Sequence, residues 1–257
     1  MSKNKYSRPV CIRDSQNFLT SSAVIDRIIN ISGLSSRDHA IEIGAGKGHI
    51  TKKLLGRCAE VTAYEIDREL YNTIETKFKD SAKLKLICGD FLQCELPGTP
   101  YKVFANIPFN RTTDIIKKLA NAETALEEAW LVVEKGAAKR FAGLPRESTQ
   151  SLMLKPFFDF EIKYYFRRED FHPAPSVDAV LLRMVKKRTP DIAAADRYLY
   201  NRFISACFSH PKGIYGLLTK RQIQVALKLD KLSCDISSKE MLYVQWLCLF
   251  RCWLKFK

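Results

Sequence analysis

The chain has 257 residues, of which 46% are hydrophobic and 27% are charged, so it can bury the core of one large domain, or of one large and one small domain. Its 42 Lys and Arg outnumber its 28 Asp and Glu, and the net charge of +14 favours a polyanionic partner, either nucleic acid or an anionic membrane surface. No apolar stretch approaches the ~18 to 20 residues of a spanning helix, and the basic N-terminus lacks the apolar region of a secretory signal. These features exclude a membrane-spanning protein and predict a cytoplasmic one.

The cysteines do not form a metal-binding pattern. Eight cysteines are present, none of them in a Cys-x-x-Cys pair, and the four histidines do not cluster with them. Zinc sites have characteristic cysteine spacing, and disulfide frameworks belong to oxidising compartments. We therefore expect no bound metal, and cysteines that remain free thiols.

The first part of the chain alternates between strand-like and helical segments. Residues 1–19 form a polar, basic arm, and Ser21 or Ser22 is expected to cap a helix that ends near Asn30. The strand-like segments that follow read HAIEIGAG, AEVTAYEID, KLKLICGD, YKVFANIPF and EEAWLVVEK, with amphipathic segments such as GHITKKLLGR and RELYNTIETKF between them. This alternation predicts an α/β sheet with crossover helices, in which most strands are parallel.

The pattern changes between residues 161 and 187. Two strand-like runs are joined there by a proline-containing loop without a helix, which predicts an antiparallel hairpin that closes the sheet. After a linker at 186–192 the remaining residues have helical spacing. We therefore predict a first domain over 1–188 and a small helical domain over 189–257.

The glycine-rich sequence EIGAGKG at 42–48 follows a predicted strand and precedes a predicted helix. In this position a turn brings backbone N–H groups close to a ligand at the edge of the sheet. Gly44, Gly46 and Gly48 alternate, whereas the dinucleotide-binding fingerprint G-x-G-x-x-G would place a glycine at His49. Taken alone, a tight turn without a ligand explains these glycines about equally well.

Acidic residues end the next two strands. Glu65 lies about 20 residues after the glycine-rich turn, where a carboxylate reaches the hydroxyl groups of a ribose. Asp90 is expected to accept a hydrogen bond from an adenine amino group, with Ile66 and Phe91 on the two faces of the purine. A single strand-terminal acid often only faces solvent or caps a helix. Successive strand ends of this kind, at the edge where open α/β sheets bind ligands, favour a nucleotide site.

The fourth of these strand ends has the sequence NIPFN at 106–110. Asn106 can cap the strand, and Pro108 stops the backbone from continuing into the sheet, so the sequence predicts a turn. A turn alone does not explain why an amide and an aromatic residue stand on either side of the proline.

Six ordered motifs between residues 6 and 185 resemble the ribosomal RNA adenine N6-methyltransferases, and within that superfamily the erythromycin-resistance (Erm) family. They are QNFL at 16–19, EIGAGKGHIT at 42–51, YEID at 64–67, GDF at 89–91, NIPFN at 106–110 and FHPAPSVDAVLLRM at 171–184. The resemblance implies a Rossmann-like class I S-adenosylmethionine-dependent methyltransferase domain of the α/β class, followed by a small all-helical C-terminal domain.

The resemblance also implies the ligands. The methyl donor would be S-adenosylmethionine, with S-adenosylhomocysteine as product, and the acceptor an adenine in 23S ribosomal RNA of the large subunit, methylated before the subunit is fully assembled. We expect a monomer without a membrane partner. Together with the purine-facing residues inferred above, the motifs assign to the donor site Asn17, Leu19, Gly44, Gly46, Glu65, Ile66, Asp90, Phe91 and Asn106.

The NIPF residues also have a chemical interpretation. The exocyclic nitrogen of adenine is a poor nucleophile, because its lone pair is delocalised into the ring. If the Asn106 side-chain oxygen and the Ile107 carbonyl accept its two N–H bonds, the lone pair is aimed at the sulfonium methyl, and catalysis depends on positioning and dipoles. Phe109 offers a ring on which the flipped adenine can stack. This chemistry requires neither a metal nor a strong general base.

Residues outside the donor site are expected to hold the RNA. The resemblance favours Arg140, Arg146 and Phe171, and Arg8 lies on the basic arm. Further candidates for phosphate contacts are Arg13, Lys139, Lys163, Arg167 and Arg168. A single surface Lys or Arg is more often only solvated. Ala174 departs from the family pattern, in which a basic residue often stands at this position.

Three other functions are less consistent with the sequence. A housekeeping dimethyladenosine transferase of small-subunit ribosomal RNA shares the fold and every donor motif, but NIPFN and the short C-terminal domain favour the Erm family as a matter of degree. A non-catalytic nucleic-acid-binding relative would not need Asn106, Phe109, Glu65 and Asp90. A nicotinamide-dependent oxidoreductase ranks last, because the glycine spacing differs and no acid or base for hydride transfer is evident.

Overall fold

The computed structural model of the protein describes residues 17–121, 124–234 and 240–256. The RNA contacts predicted for Arg8 and Arg13 lie outside these residues. Within them, no helix is long and apolar enough to cross a membrane. The described cysteines are free, and no group of three or more possible metal ligands occurs among the described side chains.

One mixed sheet of seven strands forms the centre of the described structure. Its strands are β2 (His39–Ile43), β3 (Glu60–Glu65), β4 (Leu84–Cys88), β5 (Tyr101–Asn106), β6 (Leu126–Glu134), β7 (Phe158–Tyr165) and β9 (Ala179–Lys186). They follow one another in space in the order β4-β3-β2-β5-β6-β9-β7. The five strands from β4 to β6 are parallel, and β9 runs antiparallel to both of its neighbours. The predicted α/β sheet and its antiparallel β7–β9 hairpin are therefore confirmed.

Helices cover both faces of the sheet and continue beyond it. They are α1 (Ser22–Ser32), α2 (His49–Leu55), α3 (Arg68–Lys77), α4 (Thr112–Leu119), α5 (Lys135–Ala142), α6 (Thr149–Leu154), α7 (Arg197–Ser209), α8 (Lys220–Leu229) and α9 (Tyr243–Leu254). Ser21 caps α1 as predicted, since its side chain accepts a hydrogen bond from the Val24 N–H. The long apolar runs of the inner strands are buried on both faces, as parallel strands between two helical layers require.

A second, very short sheet joins the start of the described chain to the loop after β7. It pairs β1 (Phe18–Leu19) antiparallel with β8 (Phe171–His172). The Thr20 N–H also donates to the Asp170 carbonyl at 3.0 Å. This pairing holds the residues that follow the N-terminal arm close to the large sheet, and neither strand was expected from the sequence.

The helices after residue 189 pack on the same hydrophobic core as the sheet. Buried residues of α7 and α9, such as Phe203 and Phe250, belong to one continuous cluster with Val103 of β5. The predicted linker contacts the last helix, because Asp191 accepts a hydrogen bond from the Tyr243 hydroxyl of α9. Asp191 also forms an ion pair with Lys187 at 2.6 Å. The C-terminal segment is helical as predicted, and the domain boundary at 188 stays a prediction.

Candidate active site

The four strand ends singled out in the sequence meet at one edge of the sheet. Because β2 to β5 are parallel neighbours, their carboxyl ends lie side by side. Gly44 follows β2, Glu65 is the last residue of β3, Asp90 follows β4, and Asn106 is the last residue of β5. The structure therefore brings together side chains that are far apart in the sequence.

Two adjacent cavities open at this edge. The smaller, of about 40 Å³, is called here the NIPF cavity and is lined by Asn17, Phe18, Gly44, Gly46, Glu65, Asn106, Ile107, Pro108 and Phe109. The larger, of about 400 Å³, is called here the apolar cavity and is lined by Ile43, Gly44, Tyr64, Ile66, Gly89, Asp90, Phe91, Leu92, Pro108, Asn110, Arg111 and Ile115. Gly44 and Pro108 line both, so the two cavities are neighbours.

The alternating glycines keep this edge open to a ligand. Gly44, Gly46 and Gly48 all have left-handed backbone conformations, with φ of 73°, 57° and 72°. A Cβ atom at Gly46 would lie 2.8 Å from the Phe18 ring, so a side chain there would also displace the aromatic residue. Phe18 is thus a wall of the NIPF cavity. Its place within the QNFL motif was the only sequence sign of this role.

Glu65 is buried against the glycine-rich turn and is only 1% exposed. One carboxylate oxygen accepts a hydrogen bond from the Gly46 N–H at 2.7 Å, and the other accepts one from the Asp67 N–H at 2.9 Å. These bonds fix the carboxylate at the cavity wall, and each oxygen retains a further lone pair. The arrangement is able to accept hydrogen bonds from a vicinal diol.

Glu42 is a second buried carboxyl group, and the sequence reasoning assigned it no function. It is 1% exposed, and its Oε2 atom has no hydrogen-bond partner among the described residues. The pKa of Glu42 is raised to about 8, mainly by burial and in smaller part by the nearby Glu65 carboxylate, while Thr51 acts in the opposite direction. The feature of the sequence that could have identified this residue is a charge in the middle of the apolar strand segment AIEI.

The Asn106 side chain already makes a hydrogen bond through the nitrogen of its amide group. Its Nδ2 atom donates to the Asn17 backbone carbonyl at 2.7 Å. This bond uses one of the two N–H donors of the side chain and fixes the orientation of the amide, so that the Oδ1 atom is the group presented as an acceptor for a ligand. Asn17 lines the NIPF cavity, and its backbone carbonyl holds the Asn106 side chain.

The turn after Asn106 places an apolar wall beside this amide. The Ile107 side chain is 2% exposed, and Phe109 is half-buried. Phe109 begins a 3₁₀ turn, and its carbonyl accepts a hydrogen bond from the Thr112 hydroxyl at 2.9 Å. The ring of Phe109 therefore lines the NIPF cavity on a backbone that is held at both ends.

The apolar cavity contains the residues predicted to hold a purine. Ile66 is 45% exposed, whereas Phe91 is 4% exposed and packs edge-on against Tyr64 with ring centres 5.3 Å apart. Asp90 accepts a hydrogen bond from the Leu92 N–H at 2.9 Å and forms an ion pair with Arg111 at 3.3 Å. Arg111 was not expected here, although it directly follows NIPFN in the sequence.

Two further predicted residues lie away from both cavities. Leu19 is 3% exposed and packs with α1, so its predicted contact with the donor stays a prediction. Phe171 is 4% exposed, and its ring packs against Phe166 with ring centres 5.4 Å apart. The RNA contact predicted for Phe171 stays a prediction and requires this packing to rearrange.

The predicted RNA-binding arginines lie on the surface. Arg140 projects from α5 to within 3.5 Å of the Thr113 hydroxyl at the start of α4, three residues after NIPFN. Arg146 forms an exposed ion pair with Glu240 at 3.6 Å, and its RNA contact stays a prediction. Arg140 thus borders the candidate active site, whereas Arg146 points towards the start of the last described segment.

Comparisons with known proteins agree with this geometry. A model of the family "Ribosomal RNA adenine dimethylase" matches residues 10–222. The chain is 37% identical over 240 residues to an rRNA adenine N-6-methyltransferase of Limosilactobacillus reuteri, covering 93% of this chain and 95% of the relative. It is also 37% identical over 220 residues to one of Lysinibacillus sphaericus, covering 85% and 88%.

Two solved structures share most of the fold. The crystal structure of the 23S rRNA methyltransferase ErmE superposes with a TM-score of 0.82 at 26% identity, covering 92% of this chain and 99% of ErmE. A dimethyladenosine transferase from Plasmodium falciparum superposes with a TM-score of 0.70 at 21% identity, covering 90% and 95%. From the family match and the curated relatives, the chain belongs to the ribosomal RNA adenine dimethylase family and is an rRNA adenine N6-methyltransferase.

Proposed function

We propose that the enzyme transfers a methyl group from S-adenosylmethionine to the exocyclic N6 of one adenine in 23S ribosomal RNA. Methylation of that adenine in the drug-binding region would make macrolides, lincosamides and streptogramin B bind poorly. The likeness to ErmE, over 92% of this chain and with a TM-score of 0.82, supports the choice of the large-subunit RNA. The Plasmodium dimethyladenosine transferase, at 21% identity, supports only the fold.

The residues of the two cavities fit S-adenosylmethionine. The fixed Glu65 carboxylate suits the ribose hydroxyl groups, and Gly46, where a Cβ would strike Phe18, leaves room beside it. The apolar cavity suits the purine, with Ile66 and Phe91 as its walls and Asp90 as a hydrogen-bond acceptor. Glu65 and Asn106 both line the NIPF cavity, so this cavity joins the proposed ribose site to Asn106.

The observation on which the mechanism rests is the hydrogen bond between Asn106 and Asn17. S-adenosylmethionine supplies an activated methyl group on a sulfonium. Because the Asn106 amide nitrogen donates to the Asn17 carbonyl, its oxygen is presented as an acceptor for one N–H of the adenine amino group. The Ile107 carbonyl accepts the other N–H, so that the nitrogen lone pair is turned out of the ring plane.

Phe109 and Pro108 complete the positioning of the base. The Phe109 ring lines the NIPF cavity, where it stacks on the adenine that has left its RNA helix. The fixed φ of Pro108 sets the distance between this ring and the Ile107 carbonyl. After methyl transfer the substituted nitrogen loses a proton to water, so no side chain of the site has to act as a strong base.

Methyl transfer to defined RNAs tests the proposal. Labelled S-adenosylmethionine is offered with protein-free 23S RNA, protein-free 16S RNA and assembled subunits. We expect label in protein-free 23S RNA, at a single adenine, and little label in assembled large subunits. Label confined to small-subunit particles would contradict the 23S assignment and favour the housekeeping dimethyladenosine transferase.

A further inference from the structure

The strand register connects the candidate active site to the far edge of the sheet. Asn106 pairs with Val132 of β6, Val132 pairs with Leu181 of β9, and Leu181 pairs with Tyr164 of β7. The end of β7 thus lies level with Asn106, three strand spacings away, or about 14 Å. Under the proposed function, an RNA strand whose target base enters the NIPF cavity would have its neighbouring nucleotides near this edge.

A β-bulge changes the direction of the last side chain of β7. Ile162 pairs with Leu182 but Tyr164 pairs with Leu181, so Lys163 is an extra residue in the strand. Beyond the bulge, Tyr165 pairs with Val180, which belongs to the core cluster on the α5 side of the sheet. The bulge therefore turns the Tyr165 ring towards α5.

The Tyr165 ring is exposed and lies next to cations. It is 59% exposed, and the Lys135 ammonium at the start of α5 lies 5.8 Å from its centre. Lys135 and Arg168 both form ion pairs with Asp178, at 3.3 Å and 3.7 Å, so these three side chains together carry one net positive charge. Arg140, on the same helix, lies 3.5 Å from the Thr113 hydroxyl at the start of α4.

We propose that Tyr165, with Lys135 and Arg168, forms a base-stacking subsite for an unpaired nucleotide of the RNA substrate that neighbours the target adenine. An exposed aromatic ring beside cations is the arrangement that binds single-stranded nucleic acid without reading its sequence. The inference rests on the proposed position of the adenine at Asn106 but not on the choice between large- and small-subunit RNA. A single-stranded segment of ribosomal RNA is therefore its occupant.

Tyr198 provides a matched control for this proposal. It is 69% exposed and has the Arg202 guanidinium 5.7 Å from its ring centre, so it resembles Tyr165 in exposure and charge. It lies on α7, whose first residue, Arg197, donates to the Ala120 carbonyl at the end of α4. Since α4 leads away from the carboxyl edge of the sheet, Tyr198 lies on the opposite side from Asn106.

The test measures RNA binding and turnover for Tyr165→Ser, Tyr165→Phe and Tyr198→Ser in the full chain, with the RNA that the wild type methylates best. We expect Tyr165→Ser to raise the KM for RNA about 5- to 150-fold. The kcat at saturating RNA, the affinity for S-adenosylhomocysteine and the Tm should stay close to the wild-type values. Tyr165→Phe should retain most of the RNA affinity, and Tyr198→Ser all of it.

Salt dependence separates the ring from its neighbouring charge. Tyr165→Ser should leave the slope of log K against log salt unchanged, whereas Lys135→Gln should reduce the slope by about 0.7 to 0.9. In the wild type, photo-crosslinking with thiouridine-substituted RNA should label the tryptic peptide 164–167. Wild-type RNA affinity in Tyr165→Ser, or a loss in Tyr165→Phe equal to that in Tyr165→Ser, would overturn the stacking subsite.

The two proposals can fail separately. If the wild type methylates only small-subunit RNA, the assignment to 23S RNA fails, and the Tyr165 variants are compared on the small-subunit RNA instead. An equal loss of RNA affinity in Tyr165→Ser and Tyr198→Ser would contradict the subsite whichever RNA is methylated.

Discussion

The two cavities of the candidate active site differ in size and in the side chains that line them. The NIPF cavity is small, and its polar side chains have fixed hydrogen bonds, such as Glu65 on Gly46 and Asn106 on Asn17. The apolar cavity is about ten times larger, at about 400 Å³ against about 40 Å³, and one of its walls, Ile66, is 45% exposed. The first is suited to orienting a reacting group, and the second to binding by burial. Substitutions at Asn106 and substitutions in the apolar cavity should therefore affect different kinetic constants.

The largest effect is expected for Asn106→Ala, which removes the acceptor that orients the amino group. The kcat should fall at least about 100-fold, because a misplaced nucleophile loses both alignment and dipolar stabilisation. The affinity for S-adenosylhomocysteine should fall far less. Asn110→Ala is the matched control, since this second amide lines the apolar cavity and is exposed. A kcat loss in Asn110→Ala as large as that in Asn106→Ala would contradict the assigned role.

The buried Glu42 should make the free energy of unfolding depend on pH. Its pKa of about 8 in the folded state exceeds the ordinary value of 4.5, so the folded chain holds a proton that the unfolded chain has lost over this interval. The free energy of unfolding should therefore fall as pH rises from 4.5 to 8, by up to ~1.4 kcal/mol per pH unit from this group.

The control for this pH effect is Glu42→Gln, in which position 42 cannot titrate. Urea unfolding of both proteins at pH 6 and pH 8 isolates the contribution of Glu42, because the other titrating groups are common to both. The difference in unfolding free energy between wild type and variant should shift in favour of the variant at the higher pH. The same difference at both pH values would show that Glu42 does not hold a proton in the folded state.

Glu65→Gln should act mainly on cofactor affinity. The substitution keeps the size of the side chain, but the amide has one acceptor oxygen where the carboxylate has two. It therefore cannot accept from both backbone N–H groups, and we expect S-adenosylhomocysteine to bind about 10- to 100-fold more weakly. Calorimetric titration measures this loss. Glu60→Gln removes an exposed carboxylate at the other end of the same strand and should leave the affinity unchanged.

A smaller effect is expected for Ile66→Ala in the apolar cavity. Removing part of one purine-facing wall should weaken S-adenosylhomocysteine about 5-fold, with little change in kcat or in Tm, because the side chain is half-exposed. Phe91→Ala provides the contrast, since this buried ring also supports the core and its loss should cost ~3 to 5 kcal/mol of stability. If Ile66→Ala lowered kcat and left binding intact, the division between the two cavities would be wrong.

The order of strands and helices was predictable because it depends on local patterns. Apolar runs, glycine-rich turns and helical spacing are visible in short windows, and parallel strands bring their carboxyl ends to one edge. The meeting of Glu65, Asp90 and Asn106 at one edge followed from this rule. The C-terminal helices were predictable for the same reason.

The contacts that complete the site were not predictable, because each depends on a distant partner. The Asn17 carbonyl that holds Asn106 is a backbone group 89 residues away in sequence, and it gives no sign in the residue type. The bulge that turns Tyr165 depends on the register with β9. The β1–β8 pair is too short for any periodicity to show. Of these features, only Glu42 had a sign in the sequence, which was a charge within an apolar strand.

The short ladder between β1 and β8 has a consequence for local opening of the molecule. An antiparallel pair of two residues opens at a low free-energy cost compared with the large sheet. A ligand held by Asn17, the residue before β1, would bind only the closed form and would oppose this opening. Amide hydrogen exchange at Phe171 and His172 should then slow when S-adenosylhomocysteine binds, although neither residue lines a cavity. Cofactor occupancy would thus be detectable about 150 residues along the chain from Asn17, through paired backbone alone.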